Sequence, residues 1–142
     1  ISFREQHEMP CIFCLKDLLF IKKLKKMSKA MYLQSVICID TSESGKDEVY
    51  VKYSIDGGSS KRYPESGYHS MSGNEFNPWI TNLKFVFNQT VEIKLYDKDD
   101  VSSDDLLGSH LYKIEDAPKT ESQLVMNSDE GSRYVLVTGA AV

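Results

Sequence analysis

Asp97, Asp99, Asp100, Asp104 and Asp105 fall within nine consecutive residues, and Leu106-Leu107-Gly108 follows directly. Carboxylates this close repel one another, so a fold that gathers them carries a cost unless a cation neutralises them. An oxygen-only set of ligands suits a hard divalent ion, and calcium tolerates the irregular geometry of a loop better than magnesium does. The segment is not an EF-hand. Counted from Asp97, the fifth and sixth places hold Val101 and Ser102, where that motif needs a ligand and a glycine. By themselves the aspartates read equally well as a solvated acidic turn.

The elements on either side say how these residues are held. Val91-Glu92-Ile93-Lys94-Leu95-Tyr96 alternates apolar and polar residues, the pattern of a half-buried strand that delivers the carboxylates into a loop. Asp97, Asp99 and Asp105 have the spacing of a loop bridging two strands. Leu106-Leu107 starts the next strand, and Gly108 permits a close backbone approach or a bulge. A second acidic loop lies upstream. The apolar run Val36-Ile37-Cys38-Ile39 ends at Asp40, then comes Thr41-Ser42-Glu43-Ser44-Gly45-Lys46-Asp47, then a second alternating strand with Val49, Val51, Tyr53 and Ile55 on one face. If both loops lie at one end of a sandwich, Asp40, Asp47, Asp97, Asp99 and Asp105 converge on one or two ions.

Here the chain resembles the C2 domain family, β-sandwich modules that bind calcium and often phospholipid. Asp97, Asp99, Asp105, Leu106, Leu107 and Gly108 match one of the family's loops without a gap. Asp47-Glu48-Val49-Tyr50-Val51-Lys52-Tyr53 is similar to the other acidic loop's exit, with one residue inserted and no proline. Asn77-Pro78-Trp79 followed by Phe85-Val86-Phe87 looks like a third signature, again one residue longer. The resemblance spans roughly residues 30–138 and implies a calcium cofactor. It also implies a partner, an anionic phospholipid surface. The chain departs from the family where Ile39 runs straight into Asp40, and its loop tips carry Ser42, Glu43, Ser44 and Gly45 on one side and Val101 on the other.

With 142 residues and 41% hydrophobic content, the chain supports one core. No apolar stretch approaches the roughly 18 residues of a membrane span. Turn residues recur at short intervals (Gly57-Gly58, Pro64, Gly67, Gly73, Asn88-Gln89-Thr90, Gly108, Pro118, Gly131) between β-rich segments. The pattern predicts an all-β fold, an eight-stranded antiparallel sandwich, with strands near 31–39, 48–56, 60–64, 82–88, 90–97, 109–114, 121–126 and 132–138. Its expected core includes Ile37, Ile39, Val49, Val51, Phe85, Ile93, Leu95, Leu107 and Leu136. Asn88-Gln89-Thr90 fits a glycosylation sequon and is read as a hairpin turn.

Residues 1–31 hold seven Lys/Arg against three Asp/Glu, whereas the rest holds ten against eighteen, so an acidic domain follows a basic arm. Leu15, Leu18, Leu19, Ile21, Leu24 and Met27, interleaved with five lysines, suit a short basic amphipathic helix of the kind that binds membrane surfaces. The lysines follow the apolar residues, the reverse of a signal peptide. Met27-Ser28-Lys29 looks like an ordinary protein start, so residues 1–26 read as an extension and 27–142 as the C2-like domain. Cys11 and Cys14 form a lone CxxC, which supplies half of a structural zinc site. Cys38 is read as packing. Three cysteines make no disulfide framework, and the reading favours a reducing, cytoplasmic compartment.

Enzymatic readings find no support, because His7, His69 and His110 are scattered and no nucleophile or phosphate-loop signature accompanies them. An acidic main domain also argues against nucleic acid. Between Gly67 and Trp79 lie Tyr68, Met71, Phe76 and Trp79, which with Val101 are candidates for contact with a ligand or membrane. Two functions follow. One is a calcium-binding module that engages a membrane or another ligand, and the other is a calcium-independent or calcium-stabilised domain that binds protein or carbohydrate. Because the strand pattern begins after Met27, deleting residues 1–26 is expected to leave cooperative thermal unfolding nearly unchanged, which calorimetry of the two chains checks.

Overall fold

The computed structural model describes residues 28–73 and 76–140. The predicted basic helix, the CxxC pair and His7 lie outside the described residues. The described chain forms nine strands: β1 (Lys29–Asp40), β2 (Asp47–Ile55), β3 (Lys61–Tyr63), β4 (His69–Met71), β5 (Trp79–Phe87), β6 (Thr90–Asp97), β7 (Asp105–Lys113), β8 (Ser122–Asn127) and β9 (Arg133–Ala140). One sheet has the order β5-β1-β9-β8 and the other β3-β2-β6-β7, with β4 also paired to β2. All pairings are antiparallel. No helix among the described residues is long and apolar enough to cross a membrane.

The architecture is the expected antiparallel sandwich with one strand more. The additional strand is β4, three residues that pair with Asp47, Glu48 and Val49 at the edge of β2. His69-Ser70-Met71 is too short to show an alternation, so only the pairing reveals it. Two other strands begin earlier than expected. β5 starts at Trp79, and it crosses a bulge where Asn82 takes a left-handed φ of 48°. β7 starts at Asp105, and its register against β6 slips between Leu106 and Gly108, the bulge that the glycine is expected to permit.

The two sheets bury Met31, Leu33, Val49, Val51, Phe85, Phe87, Ile93, Leu95, Leu107 and Leu136 between them. Ile37 and Ile39 do not join this core, and Ile39 is 42% exposed. A β-bulge explains the correction. The register of β1 slips between Leu33 and Ser35 against both neighbours, which flips the inward face from Met31 and Leu33 to Val36 and Cys38. The Thr81 hydroxyl donates to the Leu33 carbonyl at 2.6 Å inside this bulge, so the irregularity leaves that buried acceptor paired.

At the end remote from the acidic loops, the Asp56 carboxylate accepts backbone N–H groups of Asn88, Gln89 and Thr90 at 2.7–3.1 Å. The sequon is thus a turn between β5 and β6, tied to the turn after β2. At the β7 edge, Gly108 has a packing reason. A Cβ there would lie 2.7 Å from Met126 Cβ and 2.8 Å from its Sδ, so β8 closes over β7 only because that side chain is missing. Gly108→Ala is therefore expected to destabilise the fold by about 1–3 kcal/mol, and by less in a Met126→Ala background than in the wild type, because the Sδ and Cγ contacts are then absent. Chemical denaturation of the single and double variants measures both.

Candidate metal centre

Strands β2 and β6 are neighbours, and their register sets Val49 opposite Asp97. Asp47, the first residue of β2, and Asp97, the last of β6, therefore reach the same end of the sheet. Both are buried, Asp47 fully and Asp97 to 4% exposure. The loop from Thr41 to Lys46 folds back over them, turning at Gly45, whose φ is +112°. Its Ser42 N–H donates to Asp47 Oδ2 at 2.9 Å. It also brings Glu43 into place, so that one carboxylate oxygen from each of Glu43, Asp47 and Asp97 lies within 4.8 Å of the others.

The donors around this pair are nearly, but not fully, sufficient. Asp47 also accepts from the buried Tyr134 hydroxyl, and Asp97 Oδ1 accepts the Glu48 N–H at 2.8 Å. Ser42 Oγ lies 2.9 Å from Asp47 Oδ1 and 3.1 Å from Asp97 Oδ2. A hydroxyl has one proton, so it serves one of the two carboxylates at a time. Burial pushes the Asp97 carboxyl up to about 6, and the negative charges of Asp47 and Glu43 add to the rise against the hydrogen bonds from Glu48 and Ser42. Burial and its bond to Asp47 likewise raise the Tyr134 hydroxyl, so it stays a proton donor.

The other expected ligands are arranged differently. Asp105 stands opposite Asp97 on β7, and both line a cleft of about 260 Å³ together with Glu43, Glu48, Asp99 and Val101. Asp99 accepts the Val101 N–H at 2.9 Å and the Ser102 hydroxyl at 2.8 Å, and these bonds hold its carboxyl below the usual range. Asp40 is exposed at the end of β1, opposite Arg133, and lies outside the carboxylate group. Glu43 takes that place. Asp104, outside the expected ligand spacing, accepts the Asp99 N–H at 2.9 Å and the Tyr50 hydroxyl, and so pins the loop to β2. The Tyr50 ring in turn stacks on Tyr96 at 5.5 Å and lies 4.0 Å from the Arg62 guanidinium.

Gly73 and Asn77 lie at the same end. A Cβ on Gly73 would meet the Ile39 carbonyl oxygen at 2.4 Å, and Asn77 shares a small depression with Lys46. Phe76 is 82% exposed and Val101 97% exposed, and Tyr68 is partly exposed with Lys98 Nζ 5.5 Å from its ring. Met71 and Trp79 are core residues and offer no surface for contact, a correction to the expectation for that loop. Trp79 is held in a stack between His69 and Tyr63, at 4.9 Å and 5.8 Å.

No protein-family model and no curated protein sequence matches the chain. Solved structures do match. An isolated C2 domain aligns with TM-score 0.51 and 19% identity over 81% of this chain and 99% of that one. The paired C2 domains of extended synaptotagmin 2, in their calcium-bound form, align with TM-score 0.52 and 15% identity over 80% of this chain and 45% of that one. Human GIVD cytosolic phospholipase A2 aligns with TM-score 0.50 and 16% identity over 78% of this chain and 16% of that one. At such identities the shared feature is the fold.

The raised Asp97 carboxyl fixes a pH dependence in the presence of a chelator. Its value is 3.8 without perturbation and about 6 in the fold, so the folded state binds the proton more tightly. That contribution to stability is complete below about pH 4 and is lost as pH rises through about 6. Asp97→Asn is expected to remove this component, which urea denaturation between pH 4 and 7 measures against the wild type. By its fold, the chain is a C2-like β-sandwich module.

Proposed function

We propose that this chain is a calcium-binding C2-like module that engages an anionic phospholipid surface through the ion-bearing end of the sandwich. The observation that carries the reading is the meeting of exposed Glu43, from the loop before β2, with Asp47 and Asp97 at two buried strand ends, with a shortage of protons between the aspartates. This donor chemistry fits calcium, which takes carboxylates and backbone carbonyls in irregular loop sites. Glu43, Asp47 and Asp97 would hold the ion, with Asp99 and Asp105 lining the cleft above. Calcium, when bound, would supply positive charge to Asp47 and Asp97, since the one lysine lining the cleft, Lys98, pairs with Asp100.

The chain's own residues do the rest. Ser42 and Tyr134 keep Asp47 oriented, and Asp104 keeps the loop that carries Asp99 against β2. Residues 32–142 carry eighteen Asp/Glu against ten Lys/Arg, so an anionic bilayer repels the domain until its acidic end is neutralised. Phe76 and Val101 then provide exposed apolar side chains beside that end for entry into the headgroup region.

Calcium is expected to raise the melting temperature in proportion to its occupancy. At about 100 times the dissociation constant the linkage is roughly 2.7 kcal/mol, a shift of several degrees for a domain this size. Asp47→Asn and Asp97→Asn should abolish the shift. Asp104→Asn should keep the shift but start from a lower melting temperature, because the amide keeps one acceptor oxygen and either the Tyr50 hydroxyl or the Asp99 N–H loses its partner. Sedimentation with phosphatidylserine vesicles should require calcium and weaken in Val101→Asp. A melting temperature indifferent to millimolar calcium would leave the cluster as a hydrogen-bonded structural element of a calcium-independent interaction domain.

A further inference from the structure

Strands β7 and β8 end their respective sheets, and among the described residues neither has a partner on its outer edge. Between them runs a groove in two adjoining parts, of about 430 and 240 Å³, that share Gly108, Ser109 and Asn127. Met126 packs over Gly108 and Leu124 lies partly buried beside it, while Ser109, His110 and Asn127 add polar groups to the lining. The mouth of the groove, nearer the β8–β9 turn, is lined by Asp129 and Glu130 beside Asp105.

An open strand of nine residues is a template for another backbone unless the chain protects it. Of the usual protections β7 has one, a bulge at Leu107 near its start, and from Gly108 to Tyr112 the edge is regular. It contains no proline, its one lysine is the last residue, and Leu106 and Leu111 are 49% and 45% exposed on its outer face. An added strand would alternate its side chains between that outer face and the groove. Residues pointing into the groove would meet Met126 and Leu124, and a residue at the mouth would meet carboxylates that form no ion pair among the described residues.

We propose that the β7 edge binds an extended peptide segment of a protein partner by strand addition, with apolar residues at alternate positions and lysine or arginine at the end that reaches Asp129 and Glu130. The surface lies along the side of the sandwich. Its test uses Asp129 and Glu130, which play no part in holding the metal, so it stands or falls apart from the calcium reading.

The probe is the acetylated, amidated heptapeptide KKVTVTS, titrated into the full, isotopically labelled chain in chelator and observed by amide NMR and hydrogen exchange. Binding should perturb Asp105–Lys113 and protect those of its alternate amides that point away from β6 and have no partner in the β6–β7 ladder. The sequence EEVTVTS, and KKVTVTS methylated on alternate backbone nitrogens, should not bind. Asp129→Lys with Glu130→Lys should weaken binding about tenfold, the combined effect of reversing two exposed charges. Both substitutions lie in an exposed turn, and an unchanged spectrum elsewhere shows that the fold is retained. Full affinity of the N-methylated peptide, equal binding of the acidic one, or no response up to about 1 mM overturns the proposal. Protection of the same amides before peptide is added also overturns it. If that protection grows with protein concentration, a second copy covers the edge, and if it does not, the edge is covered within one chain.

Discussion

Asp47 and Asp97 are buried beside one another at the end of two adjacent strands, and the organisation of this end of the molecule follows from that constraint. Two carboxylates in a dry place are costly when both are charged. The fold answers with the backbone N–H groups of Ser42 and Glu48, a tyrosine hydroxyl from the opposite sheet and a serine hydroxyl that cannot satisfy both acids at once. What is missing is a cation paired with either acid, for Lys98, which lines the same cleft, is drawn to Asp100. Among the described residues the ion pairs, Lys94 with Glu92 and Lys98 with Asp100, involve neither aspartate.

The sheets make this arrangement rigid enough to matter. β2 and β6 are interior strands, paired over seven consecutive positions from Val49–Asp97 to Ile55–Val91, so the two acids cannot drift apart without breaking the ladder. Tyr134 reaches Asp47 from β9, coupling the second sheet to the same point. The loops above are anchored in turn by side chains that bind backbone: Asp99 holds Val101 and Ser102, and Asp104 holds Asp99. At the opposite end Asp56 does the same for the β5–β6 turn. One residue type thus has two roles. Exposed aspartates staple turns, while buried ones concentrate charge.

Much of this is legible in the residues. The alternation of Val91 to Tyr96 and of Val49 to Ile55 reveals two half-buried strands, and an aspartate at the end of each points to a common end. Glu43 is not legible as a member of the group, because its position depends on how the loop doubles back at Gly45. Asp40 looks the better candidate as the immediate continuation of an apolar run, yet the strand carries it outward. Ile37 and Ile39 mislead for a related reason: a bulge changes the parity of a strand without changing its composition. The three-residue β4 exists only through its pairing with β2, and no local pattern announces such an element. Local periodicity is therefore reliable wherever the backbone stays regular, and it fails where one residue is inserted or a loop reverses.

The carboxylate group formed by Glu43, Asp47 and Asp97 is the proposed cation site. Isothermal titration of calcium into the full chain at neutral pH tests it most directly. Saturable binding is predicted, and it should disappear in Asp97→Asn while the substituted chain remains folded. Heats indistinguishable from dilution at millimolar calcium, or unchanged binding in Asp97→Asn, would contradict it.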